Sequence, residues 1–175
     1  MQALTDAMTW LGQQPDTLFL GQGVGCPGTR ISASFDGVPA EKRLEMPVAE
    51  ELQLGISIGL ALEGSVPISV FPRINFLWRA ADQLINHLDK LPLYSGYRPK
   101  VIIRTAIGQK LPLDAGPQHT GDCTTSLTRV LETVQIHRLL TPQSFPEMQR
   151  HLTSKALEAY QSAYARLEST LIVEY

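Results

Sequence analysis

The sequence predicts an α/β domain, doubly wound about a mainly parallel sheet. Three observations predict it. Short apolar runs alternate with helix-period segments along the whole 175 residues. The apolar runs read as strands, and strands alternating with helices argue for a parallel, doubly wound sheet. No internal repeat, low-complexity tract or linker interrupts the pattern, so one domain is expected, and a chain of this length buries enough surface to fold without staples.

The elements follow in order. Leu4, Met8 and Leu11 share a helical face between Met1 and Gln13. Asp16 to Leu20 (DTLFL) is a buried strand running into a glycine loop, GQGVG. Cys26 to Lys42, rich in Gly, Pro and Ser, is expected to be a long surface loop. Glu50 to Glu63 is ambiguous, because Leu52, Leu54, Ile56, Ile58, Leu60 and Leu62 alternate as in a strand. Its length and its interleaved Gly55, Ser57, Gly59 and Ala61 favour a buried helix. Val66 to Phe71 is a strand, and Phe76 to Lys90 a helix with Leu77, Leu84, Ile85 and Leu88 on one side. Lys100 to Thr105 is a strand, followed by a Gly- and Pro-containing loop to Asp122. Thr124 to Glu132 is a short helix, Val134 to Leu140 a strand, Pro146 to Ser162 an amphipathic helix and Thr170 to Glu174 a last strand. Ligands of such sheets gather at the carboxyl ends of the strands, which directs attention to the loops after Leu20, Phe71 and Thr105.

Composition excludes several classes. The apolar fraction is 43% and the charged fraction 18%, which excludes a disordered chain and leaves weakly polar surface suited to a subunit interface. A net charge of −2 without a basic run argues against nucleic acid as a partner. No apolar stretch reaches membrane-spanning length, and the N-terminus lacks the pattern of a secretion signal. Cys26 and Cys123 are too few and too scattered for a disulfide framework and read as free thiols, which places the chain in the cytoplasm.

Several ordered blocks carry a resemblance. EMPVAEELQLGISIGLALEGSVPISVF, DQLINHLDKL, PKVIIRTAIG and GPQHTGD follow one another at family spacing, with LFLGQGV and TLIVEY matching more weakly. Together they resemble the pyrimidine-binding domain of thiamine diphosphate enzymes, in particular the beta subunits of 2-oxo acid dehydrogenases, with transketolases as more distant relatives. The resemblance implies thiamine diphosphate as cofactor and a 2-oxo acid or ketose as substrate. It implies that Glu50 is the buried carboxylate that bonds the aminopyrimidine ring and drives it to its imino form. A first-turn Glu outside such a motif is usually a surface residue stabilised by the helix ends, and Glu51 is assigned that role.

The same resemblance places Phe76 against the aminopyrimidine and His119 near the substrate as a proton-transfer or acyl-transfer residue, a task suited to a group titrating near neutrality. Outside the motif, Phe76 would read as a core or interface aromatic and His119 as a loop anchor. His87, His137 and His151 read as structural, and Asp82 and Asn86 share a helical face suited to packing or an interface.

The sequence also departs from the family. Gln22 stands where the family carries an acid that couples cofactors across the dimer. Arg79 replaces a neutral residue and suits a carboxylate or phosphate on the substrate, against the alternative of a surface or interface salt bridge; Arg73 carries the same reading more weakly. Thr120 and Gly121 replace the usual Ser-Gln, which alters the expected substrate pocket. Gly121-Asp122 is followed by Cys123, and no Asn follows Asn86, so the magnesium motif of relatives is missing.

The expectation is half of a split enzyme. The diphosphate-binding and C-terminal domains are absent, Mg²⁺ is held by a diphosphate-binding, alpha-type subunit, and the assembly is a homodimer or heterotetramer. The alternatives are a non-catalytic scaffold or regulatory subunit, or a truncated remnant.

Overall fold

The computed structural model describes residues 2–109, 114–140 and 149–175, and only the backbone over 149–154. The strands are Thr17–Gly21 (β1), Arg43–Glu45 (β2), Val66–Phe71 (β3), Ile102–Ala106 (β4), Gln135–Leu139 (β5) and Thr170–Glu174 (β6). They form one sheet in the order β2-β1-β3-β4-β6-β5, and every pair is parallel. The register sets Leu20 beside Ser69, Val70 beside Arg104 and Arg104 beside Ile172.

Successive residues of the inner strands enter two different cores, which is why they read as unbroken apolar runs. Ile68, Val70, Ile102 and Ile172 join Phe19 beneath helices Gln2–Gly12 (α1) and Gln149–Ala165 (α6), which supply Met8, Leu11 and Tyr160. Phe71, Ile103, Leu171 and Val173 face the opposite side, where helix Glu50–Leu62 (α3) adds Leu54 and Ile58, and the segment after β3 adds Leu77, Leu84 and Leu88. Two cores on opposite faces of one parallel sheet make the doubly wound α/β fold that the sequence predicts. The helix face of α1 forms as expected, with Met8 and Leu11 fully buried and Trp10 set edge-on to Tyr164 at 5.5 Å.

Helix α3 resolves the ambiguous run. Glu50, Gln53, Leu54, Ser57 and Ile58 turn inward, while Leu52 and Leu62 are exposed. Strict alternation thus arises from apolar residues on both the inner and outer faces of a helix. Each fully buried Leu contributes roughly 1.5–3 kcal/mol.

Other expectations are corrected. The stretch from Cys26 to Lys42 is not all loop. It holds a helical turn at Arg30–Ala33 (α2), closed by a reciprocal capping box between Thr29 and Ser32, and a 3-10 turn at Ala40–Lys42, and buries Phe35 and Val38. Strand β2 had no period to show because it is three residues long and pairs only with β1. The helix expected over Phe76 to Lys90 is a 3-10 helix at Ile74–Ala80 that leads into a π-helical segment at Gln83–Leu88. Its wide turn closes with Asp89 N–H donating to the Leu84 carbonyl at 3.0 Å. The buried Asp89 carboxylate accepts the N–H groups of Glu132, Thr133 and Val134, an anchor that a 3.6-residue period cannot register.

A further short helix, Leu91–Ser95 (α4), and Thr124–Val130 (α5) complete the chain. The expected start of the last helix at Pro146 lies outside the described residues. No helix among the described residues is long and apolar enough to cross a membrane.

Candidate active site

The strand order reverses between β1 and β3, since β2 lies on one side of β1 and β3 on the other. Such a reversal opens a crevice at the carboxyl ends of the two strands. Gly21 ends β1 there at φ +145°, and a Cβ on it would fall 2.1 Å from the Val70 carbonyl oxygen, so the approach of β1 to β3 requires glycine. Gln53 braces the same place from α3, its Nε2 donating to Ser69 Oγ at 3.1 Å and to the Val70 carbonyl at 3.0 Å.

Glu50 begins α3 beside this crevice and is 2% exposed. Gln22 Nε2 donates to its Oε1 over a long 3.4 Å. Its Oε2 is buried without a hydrogen-bond partner. Arg79 Nε lies 3.4 Å from Oε2, within ion-pair reach but without hydrogen-bond geometry, and the Arg79 side chain is 74% exposed. The three residues meet, and the salt-bridge reading of Arg79 now has a named partner, Glu50. An open cleft of ≈ 670 Å³ adjoins them, lined by Val48, Leu52, Ile56 and Gln83 as well as Glu50 and Arg79. Glu51 is exposed, as its surface assignment required.

A second cluster forms where the loop after β4 returns toward the 3-10 helix. Phe76 meets the His119 ring edge-on, with centroids 5.5 Å apart and planes at 74°. His119 Nδ1 lies 2.9 Å from Asn75 Oδ1. The 3-10 helix links the two clusters, because it carries Asn75 and Phe76 together with Arg79. Arg73 does not join either; its Nη1 donates to the carbonyl of Pro72.

Sequence reasoning missed two contributors. Asn75 precedes Phe76 in a turn, where an Asn has many ordinary uses. Glu45, at the end of β2, accepts the N–H groups of Gly23 at 2.8 Å, Gly25 at 2.6 Å and Cys26 at 3.2 Å, and so folds the loop that carries Gln22. Burial alone would push the Glu45 carboxyl up, but the N–H groups of Gly25, Gly23, Cys26 and Val24 outweigh it and hold it below the usual carboxylate range. Neither residue type gave a signal at its position; only the fold brings them to the crevice.

The remaining landmarks are structural. Asn86 Nδ2 donates to Asp82 Oδ1 at 2.7 Å, one turn apart as their spacing predicts. His87 lies 3.6 Å from Asp82 on the π-helical segment, and His137 sits on the edge strand β5, where burial and then Arg166 lower its affinity for a proton. The His151 side chain lies outside the described residues.

The chain was compared with known proteins. It is 34% identical over 92 residues to the 3-methyl-2-oxobutanoate dehydrogenase subunit beta of Mycobacterium tuberculosis, an alignment covering 51% of this chain and 26% of that protein. It is 28% identical over 101 residues to the mitochondrial 2-oxoisovalerate dehydrogenase subunit beta of Chaetomium thermophilum, covering 54% of this chain and 21% of that protein. Over these segments, about half of its length, the chain is similar to these beta subunits. It spans about a quarter of the length of the curated beta subunits it matches. No protein-family model matches it. Among solved structures, a split-gene transketolase, described as an inactive beta4 tetramer, superposes with a TM-score of 0.72 at 19% identity, over 98% of this chain and 49% of that one. That likeness shows the fold alone.

Proposed function

We propose that this chain is the pyrimidine-binding subunit of a split thiamine diphosphate-dependent enzyme acting on a 2-oxo acid or a ketose. The observation that carries the reading is Glu50: a carboxylate 2% exposed, at the strand-order reversal, with one oxygen lacking a hydrogen-bond partner. Leaving a buried acceptor unpaired costs about 1–3 kcal/mol, a cost that a ligand donating to it would offset. A ring nitrogen of the aminopyrimidine fits that oxygen.

Glu50 would hold a proton at this ring nitrogen, with Gln22 steadying its other oxygen. Phe76 would pack against the ring. Thiamine diphosphate, when bound, supplies the electron sink for making or breaking the bond beside the substrate carbonyl. His119 would exchange protons with the substrate. Arg79 has an exposed guanidinium that can turn from Glu50 to a carboxylate or phosphate on the substrate, and its planar fork suits either group.

We assign Mg²⁺ and the diphosphate to an alpha-type partner chain, and the one-domain reading of this chain belongs to the same proposal. The assembly is a homodimer or heterotetramer. Exposed Val48, Leu52 and Trp78 beside the cleft supply apolar surface for such contacts. The split transketolase supports the arrangement by analogy, since its beta chains associate in an inactive tetramer.

The test is co-expression of the chain with a separate diphosphate-binding chain from the same genome, followed by calorimetric titration of thiamine diphosphate with Mg²⁺. The expected result is binding by the pair and none by either chain alone. No binding by the pair would return the chain to a scaffold role.

A further inference from the structure

His119 is held at three points. Its backbone N–H donates to the Gly116 carbonyl at 3.1 Å, its own carbonyl accepts the Gly108 N–H at 2.7 Å, and ring Nδ1 sits 2.9 Å from Asn75 Oδ1. A Cβ on Gly108 would fall 2.6 Å from the His119 carbonyl oxygen, so the backbone pin depends on glycine there. Phe76 bounds the ring edge-on, which leaves little freedom to turn. Ring Nε2 has no hydrogen-bond partner among the described residues.

An amide oxygen only accepts hydrogen bonds, so the Nδ1 facing it must carry a proton. A neutral imidazole has one ring proton, and Nε2 is therefore left with its lone pair. We propose that Asn75 is a positioning residue that fixes His119 in the Nδ1–H tautomer, making Nε2 the nitrogen that exchanges protons at the site. What Nε2 acts on rests on the function proposed above; the tautomer does not.

The proton balance is simple. Nε2 takes a proton from a substrate hydroxyl, and the resulting imidazolium keeps its Nδ1–H on Asn75 Oδ1. Returning the proton from Nε2 restores the neutral tautomer. A partner on the second nitrogen is the usual means of setting which nitrogen works. Reversing the amide would place its NH₂ against Nδ1 and move the proton to Nε2, so the two arrangements give opposite spectra.

The test begins with the unliganded chain, uniformly labelled with ¹⁵N, at a pH where its imidazoles are neutral. Long-range couplings from the ring protons report which nitrogen is protonated, and His119→Gln assigns the His119 signals among the four histidines. The expected spectrum has a protonated Nδ1 and a bare Nε2. Asn75→Asp, which keeps an acceptor, retains it, whereas Asn75→Ala moves both nitrogens toward averaged shifts. A protonated Nε2 in the wild-type chain, or an Asn75→Ala spectrum unchanged from wild type, overturns the assignment.

In the reconstituted pair, Asn75→Ala is expected to lower kcat about 10- to 100-fold with KM little changed, and Asn75→Asp to recover most of it. Full activity in Asn75→Ala would overturn the positioning role. Loss of thiamine diphosphate binding by the wild-type pair would strike the proposed function instead, with the tautomer still decided on the chain alone.

Discussion

Among the described residues, two buried Glu side chains face an arginine, and they are built differently. Glu174, at the end of β6, is satisfied from every side. Arg104 Nε donates to its Oε1 at 2.8 Å and Nη2 to its Oε2 at 3.3 Å, while Tyr160 adds its hydroxyl at 2.8 Å. Arg104 Nη1 reaches Ser34 Oγ at 2.7 Å, and the Phe35 ring lies beneath the guanidinium at 5.2 Å. Burial alone would loosen the Arg104 proton, but Glu174 outweighs it; the Tyr160 hydroxyl is pushed up by its burial and by Glu174. Glu50 has one long hydrogen bond, one orphan oxygen and an arginine that is mostly in water. The first pair closes the fold across β4, β6, α6 and α2. The second leaves one carboxylate oxygen without a hydrogen-bond partner, and the proposed function rests on that oxygen.

The largest effect should come from breaking the closed pair. Arg104→Ala leaves Glu174 buried and uncompensated, and should lower the unfolding free energy by about 3–5 kcal/mol in a urea titration. Replacing both members with apolar residues, Arg104→Met with Glu174→Leu, should recover most of that loss. Equal damage from the single and double variants would mean that packing, not charge, holds this corner.

Acid should act next, through carboxylates of a third kind. Burial would raise Asp89, but the N–H of Val134, the Lys90 ammonium and the N–H groups of Glu132 and Thr133 hold it below its ordinary value. A depressed folded-state value means stability that is complete above the unfolded value and is lost as pH falls through the folded one. Asp89 and Glu45 should therefore make stability fall as pH drops below about 4. Asp89→Asn should cost about 1.5–3 kcal/mol at neutral pH and flatten the acid limb, as read by urea midpoints across pH. An unchanged limb would remove Asp89 from this account.

Arg79→Gln should be the mildest, changing stability by less than about 1 kcal/mol because the guanidinium is largely solvated. In the pair it should raise the substrate KM more than it lowers kcat. A drop in stability as large as that of Arg104→Ala would erase the distinction between the two arginines.

Much of the fold was legible in the chain. The inner strands announced themselves because both faces are buried, and the run over α3 could be assigned a helix from its length and its small residues. Strand β2 and helix α2 left no trace, since three or four residues cannot establish a period. The 3-10 and π turns after β3 were read as one helix because their buried residues, Leu77, Leu84 and Leu88, keep nearly helical spacing.

The site was legible only in part. Glu50, Phe76, His119 and Arg79 came from a resemblance and its departures, and the structure brings them to the carboxyl ends of neighbouring strands. Asn75 and Glu45 act through contacts 44 and 19 to 22 residues away in sequence. Arg104 and Glu174 are charged residues inside the apolar runs KVIIRT and TLIVE, the first of which also opens on the charged Lys100. Their partnership spans 70 residues and depends on β4 lying beside β6.

The most direct measurement compares wild type and Glu50→Gln in the reconstituted pair, recording thiamine diphosphate affinity and the urea midpoint of the same samples. The account predicts affinity weakened by about 100-fold or more while stability stays within about 1 kcal/mol, because Glu50 serves a ligand and not the fold. Unchanged affinity, or affinity lost only in step with unfolding, would contradict it.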